Sequence, residues 1–292
     1  MIDPTLNSDR CLLFHQGNNG HAVVLLPGLC GSELEMGAIP RLLKQSGYSY
    51  AIPQVKGYSA HTGISPYKNW IDEVEQFASD LMESHSSVSI VGLSMGATLS
   101  LAVAARNQNI KSLIILSPVL IFDGWSVPWY YPLLKFIYLA GFRNWHYKET
   151  APYGVKNLEM RRHIKNAVER NDVSELGAAH LSARHLMESL KLIKDTKKEL
   201  SSVNSDALII HAIDDETASP KSPDLILDSI ASETRRTIWL GNSYHMITVD
   251  NEREIVANET VNFIAQTIKK QEIARDINLN TSSLIIKNRS EN

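Results

Sequence analysis

The chain has 292 residues, of which 43% are hydrophobic and 21% charged, the composition of a globular protein and not of a disordered or fibrous one. Its 29 Lys and Arg against 32 Asp and Glu leave a formal charge of −3, with no broad basic field, so nucleic acid is excluded as an expected partner. Cys11 and Cys30 are too few for a disulfide framework and lack the neighbours of a metal cluster, which leaves two free thiols as the expectation.

The opening residues carry Asp3, Asp9 and Asn18 without the apolar run of a secretory signal, and a cytoplasmic protein is therefore expected. Cys11 to Phe14 and His21 to Leu26 flank Gly17-Asn18-Asn19-Gly20 and read as two strands around a turn, since Asn and Gly tolerate positive φ. Val23 to Leu26 is an unbroken apolar run, and Val88 to Leu93, Leu113 to Leu116 and Ala207 to Ile210 have similar character. Such runs suit parallel strands buried on both faces. Between them lie helical patterns at Met36 to Ser46, at Pro66 to Ser84 with Ser65 as N-cap, and at Met95 to Arg106. The alternation predicts βαβ units, a mostly parallel sheet with helices on both faces, and chemistry in the loops at the carboxyl ends of the strands.

After Ser117-Pro118 the alternation stops, and residues 119–201 read as a helical, aromatic-rich lid inserted between a first core segment, 1–118, and a second, 202–270. Helical patterns run from Leu158 to Arg170 and from Ala178 to Lys198. Trp129 to Phe142 is apolar enough to touch lipid, although no window approaches the roughly 20 apolar residues of a spanning helix. A strand pattern resumes at Thr237 to Leu240 and a helix at Glu252 to Lys270. Residues 271–292 are polar and are expected to form an irregular or frayed tail.

Gly92-Leu93-Ser94-Met95-Gly96 stands where a buried strand meets a helical pattern. A Gly-x-Ser-x-Gly turn at such a junction strains the backbone at the serine and needs small neighbours on either side. The bland alternative is that Ser94 caps the helix and Gly96 serves only close packing. A nucleophilic serine requires a base and an orienting acid further along the chain. His245, in Ser243-Tyr244-His245-Met246-Ile247 directly after a strand, is the candidate base. The acid is expected in Asp214-Asp215-Glu216, after the strand Ala207 to Ala212; Asp215 is favoured and Asp214 stays open. An oxyanion hole would use the amides of Met95 and, in Pro27-Gly28-Leu29-Cys30-Gly31, Leu29. No His-Glu-x-x-His pattern occurs, and neither metal nor cofactor is expected.

With these motifs, together with Ala212-Ile213-Asp214-Asp215 and the run from Ser243 to Asp250, the sequence resembles the bacterial carboxylesterase and monoacylglycerol lipase group of the α/β-hydrolase superfamily, from about His21 to Lys270. The resemblance implies an α/β-hydrolase fold with a helical lid, Asp215 as the acid, and Leu29 and Met95 as oxyanion donors. It departs from the group at Pro27-Gly28, where His-Gly is common, and at Ala97, where a further glycine is frequent.

The expected activity is hydrolysis of carboxylic esters of hydrophobic acyl groups through an acyl-enzyme on Ser94, with Trp125, Trp129, Tyr130 and Phe136 at the acyl site or its entrance. The same aromatics could equally pack the lid onto the core. Thioester hydrolysis or acyl transfer on the same residues is the nearest alternative. A hydrolase fold retained only for binding, and cleavage of carbon–carbon bonds, are more distant ones. The expected partners are thus a small hydrophobic ester or thioester and, through the lid, a membrane or lipid surface.

Overall fold

A computed structural model describes residues 10–59, 62–148, 151–169 and 180–290. The first nine residues, and the ends of two expected helices at Arg170 and Ala178, lie outside the described residues.

The centre is a seven-stranded sheet. Its strands are β1 (Cys11–His15), β2 (His21–Leu26), β3 (Ser49–Pro53), β4 (Ser87–Leu93), β5 (Ile110–Leu116), β8 (Asp206–Ala212) and β9 (Arg235–Leu240), in the order β1-β3-β2-β4-β5-β8-β9. All neighbouring pairs are parallel except β1 with β3. The apolar runs divide their side chains by the period of the pleat. Ala22, Val24 and Leu26 face one core cluster, and Val23 and Leu25 face the other. On the first face α2 (Tyr67–Ser84) and α3 (Met95–Arg106) bring in Trp70, Phe77, Leu99 and Leu101. On the second, α1 (Ile39–Gln45) and the start of α8 (Arg253–Ser290) bring in Ile39, Leu43, Phe263 and Ile264.

Residues 119–201 hold α4 (Tyr131–Leu139), a two-stranded antiparallel pair of β6 (His146–Lys148) and β7 (His180–Ser182), α5 (Leu158–Glu169) and α6 (Ala183–Glu199). By its packing α6 belongs to the core layer: Leu192 and Ile193 join the α2–α3 cluster. The shorter α7 (Lys221–Ser229) links β8 to β9.

Several sequence expectations are corrected. The strands on either side of Gly17 to Gly20 do not pair; β1 lies antiparallel to β3, a strand the apolar pattern did not single out, and β3 separates it from β2. The turn forms, with the Asn18 and Asn19 amides donating to the Gly47 carbonyl, but it carries the chain across a neighbour instead of back along itself. Ser65 does not cap α2: Pro66 is the N-cap, and the Ser65 hydroxyl accepts from Trp70 Nε1 at 3.0 Å and donates to the Lys56 carbonyl at 2.6 Å. A 3₁₀ turn at Glu33–Met36 precedes α1, which begins only at Ile39. Residues 271–290 continue α8 instead of forming an irregular tail. No Gly or Pro interrupts Arg253 to Ser290, so nothing in the backbone stops the helix once the core starts it.

Candidate active site

The parallel strands end on one edge of the sheet, and the loops leaving β2, β4, β8 and β9 meet there. Ser94 stands between β4 and α3 with φ 58° and ψ −117°, a left-handed conformation an L residue adopts only when its surroundings impose it. They do so through the flanking glycines. A side chain at Gly92 would collide with the Gly96 carbonyl, and one at Gly96 with the carbonyl of Leu26. The Ser94 N–H donates to the Leu116 carbonyl at 2.9 Å, and its side chain makes no capping bond to α3. That leaves its Oγ for another partner and removes the capping alternative.

The partner is His245. Its Nε2 lies 2.8 Å from Ser94 Oγ, and its Nδ1 lies 2.8 Å from Asp215 Oδ2. Asp215 is buried just beyond β8, and its second oxygen accepts the N–H groups of Thr217 at 2.8 Å and Ala218 at 2.9 Å. Burial opposes its ionisation, but His245, His211 and the Ala218 amide outweigh burial and hold its carboxyl below the usual value. Its neighbour Asp214 points outward, with a side chain 55% exposed and paired to Lys156 Nζ at 3.0 Å. Both candidate acids thus follow one strand, and only Asp215 reaches the imidazole.

The loop after β2 is tied down at almost every amide. Gly28 N–H donates to Glu35 Oε2 at 2.8 Å, Cys30 N–H to the Tyr58 carbonyl at 2.9 Å, and Gly31 N–H to the Gly28 carbonyl at 2.9 Å. The Tyr58 hydroxyl, buried against Trp70, donates to the Pro27 carbonyl at 2.6 Å. Leu29 N–H is the loop amide left without a partner among these bonds. Met95 N–H, at the first position of α3, has no partner within the helix for the reason common to all helix starts. Burial, with Glu35 adding to it, pushes the Cys30 thiol up to about 12, so it stays protonated and is no rival nucleophile.

Of the aromatic candidates, Trp129, Phe136, Trp125 and Tyr130 are 85%, 66%, 62% and 44% exposed. Trp125 packs edge-on against Tyr244 and donates Nε1–H to the Asp214 carbonyl at 3.2 Å, outside the Ser94–His245 contact. Sequence reading passed over Tyr58, Glu35 and Glu216, all buried polar groups beside the site. For Glu216 the signal was present in three consecutive acids at the end of a buried strand; for Tyr58 and Glu35 nothing local marked them. Among the described residues no cluster of His, Cys, Asp and Glu could hold a metal ion, and no helix is long and apolar enough to cross a membrane.

Residues 17–253 match the model of the family described as serine aminopeptidase, S33. The chain belongs to that family of α/β hydrolases. It is similar to a thermostable monoacylglycerol lipase of a Bacillus species, 23% identical over 87% of this chain and 94% of the relative. A carboxylesterase of Bacillus subtilis is 24% identical over 83% of this chain and 92% of the relative. Among solved structures, one from a study of the metagenome-derived lipolytic enzymes LipS and LipT superposes with a TM-score of 0.72 at 21% identity, covering 87% of this chain and 96% of that one. A monoacylglycerol lipase of Paleococcus ferrophilus gives a TM-score of 0.69 at 17% identity, covering 84% and 94%. The fold is that of an α/β hydrolase, and the protein is a hydrolase of the lipase and esterase type.

Proposed function

We propose that the protein hydrolyses uncharged carboxylic esters of hydrophobic acyl groups through Ser94, His245 and Asp215. The observation that carries this reading is the strained Ser94 with its Oγ 2.8 Å from an imidazole whose other nitrogen is engaged by a buried carboxylate. Ser94 Oγ attacks the carbonyl carbon while His245 Nε2 takes its proton, and Asp215 keeps the ring in the required tautomer. The Leu29 and Met95 amides receive the developing oxyanion. His245 then returns the proton to the departing alkoxide, leaving an acyl-enzyme. Water deprotonated by the same histidine releases the acid.

The exposed apolar side chains from Trp125 to Phe142 support a further part of the reading, contact with a lipid surface through this segment. Trp and Tyr suit such an interface, and no Asp or Glu stands between Gly124 and Lys148 to oppose an anionic one.

The test is hydrolysis of nitrophenyl esters of increasing acyl length, with acyl thioesters alongside, by wild type and Ser94→Ala. Loss of kcat by about four to six orders of magnitude in the variant is expected. Retained activity would remove Ser94 from the mechanism, and a strong preference for thioesters would move the reading to thioester hydrolysis.

A further inference from the structure

His245 belongs to residues 241–250, which form neither strand nor helix, so its position relative to Ser94 depends on hydrogen bonds from outside the sheet. The amides on either side of it are held by Asp250 Oδ2, which accepts from Tyr244 at 2.8 Å, and by the Gly154 carbonyl, which accepts from Met246 at 2.8 Å. His245's own N–H donates to Glu216 Oε2 at 3.0 Å. Glu216 is buried, and its main chain is fixed as firmly as its side chain. Its carbonyl accepts the Ser126 N–H at 3.0 Å and the Ser126 hydroxyl at 2.8 Å, and a side chain at Gly124 would collide with it. One residue therefore joins the base loop to the start of the insertion.

We propose that Glu216 is a positioning residue for His245: its carboxylate fixes the main chain of the base and, when ionised, supports the imidazolium that forms as Ser94 gives up its proton. The proposal rests on the reading of Ser94 and His245 as nucleophile and base.

A neutral acceptor would hold the amide equally well. A carboxylate adds negative charge in a water-poor site, where its effect on a nearby imidazolium is largest. Burial, against the pull of His245 and with Asp215 adding to the rise, brings the Glu216 carboxyl up to about 7. It therefore changes charge in the range where imidazole titrates. The other ionisable groups around it are already committed. Asp215 bonds His245 with His211 behind it, Asp123 at the insertion root bonds Ser219 and Lys221, Lys156 pairs with Asp214, and Asp250 holds Tyr244. Asp215 thus orients the ring, and Glu216 the backbone that carries it.

The experiment compares Glu216→Gln, which keeps an acceptor oxygen and loses the charge, with Glu216→Leu, which loses both. kcat and KM on a short nitrophenyl ester are read from about pH 5 to about pH 9, beside an NMR titration of the His245 ring nitrogens. For the Gln variant the expected result is KM within about twofold, kcat down about tenfold on the alkaline side where Glu216 is ionised, and both the acid limb of kcat/KM and the His245 titration lower by a few tenths of a pH unit, since Glu216 is largely neutral where they fall. The Leu variant should lose about a hundredfold in kcat because the base loop is also released. Wild-type kcat together with an unshifted His245 titration in the Gln variant overturns the proposal. Should the ester fail as a substrate, the ester reading fails, and should Ser94→Ala hydrolyse it as well as wild type, the nucleophile reading fails. The NMR titration then still decides the role of Glu216.

Discussion

The two ends of the sheet both bury a histidine against serine hydroxyls, and only one of them has the makings of a catalyst. At the carboxyl edge His245 meets Ser94 at 2.8 Å. At the amino edge His21 Nδ1 meets Ser87 Oγ at 2.7 Å, its Nε2 meets Ser89 Oγ at 3.0 Å, and Ser89 meets Ser112 at 2.6 Å. The hydrogen bonds are alike, but their surroundings differ in three respects. Among the described residues His21 bonds no carboxylate, and burial, with His85 adding to it, lowers its pKa to about 4, so it resists the positive charge a general base must accept. Ser87 and Ser89 lie within a regular strand, whereas Ser94 sits in a strained turn. The Ser87, Ser89 and Ser112 hydroxyls are buried, whereas Ser94 is partly open. A serine near a histidine is thus structural by default; carboxylate, strain and access make the difference.

The largest effect that should separate the ends is at the acid. Asp215→Asn is expected to lower kcat by about four orders of magnitude by permitting the wrong imidazole tautomer. Asp214→Asn, which breaks only an exposed ion pair, should leave kcat within about twofold. Equal losses in steady-state assays of the two variants would contradict the division seen between these neighbours.

A smaller effect is expected at Tyr58→Phe, which removes the hydroxyl that holds the Pro27 carbonyl. Looser placement of the Leu29 amide should cost about tenfold in kcat with KM nearly unchanged, because the oxyanion forms only in the transition state. A change confined to KM would mean that the loop binds substrate instead.

At the other end Ser89→Ala should leave kcat unchanged and lower stability by about 1–3 kcal/mol in urea unfolding, since His21 and Ser112 lose a buried partner. The pH dependence has a definite sign. His21 stays neutral in the fold down to about 4 against a reference of 6.5, so the unfolded chain binds the extra proton first. Its contribution is present above pH 6.5 and is lost as pH falls toward about 4. Thermal melts of wild type and a His21→Asn variant across that window should differ in slope; parallel curves would remove His21 from the acid limb of stability.

Much of this was legible in the residues because local rules produce it. An apolar run can be buried on both faces only inside a covered sheet, and a serine between Gly92 and Gly96 at a strand end has few conformations open to it. The placement of β1 was not legible: a turn containing two Asn and two Gly specifies a change of direction, and which strand the chain then joins depends on a third, β3. The fate of residues 271–290 was not legible either. The absence of helix breakers is a weak signal beside the lack of an apolar period, and the helix inherits its direction from the part anchored by Phe263 and Ile264.

By itself, then, the sequence determined the central strands β2, β4, β5, β8 and β9, the turn that holds up Ser94, and the loops from which a base and an acid would come, since each depends on neighbours within a few residues. The tertiary structure alone decided that Asp215 and not Asp214 meets His245, that Tyr58 and Glu35 bind the loop around Leu29, and that Glu216 holds the backbone of the histidine. The physical reason is that a hydrogen bond is set by a few tenths of an ångström and an angle, and between residues far apart in the chain those are fixed only once the intervening core is packed.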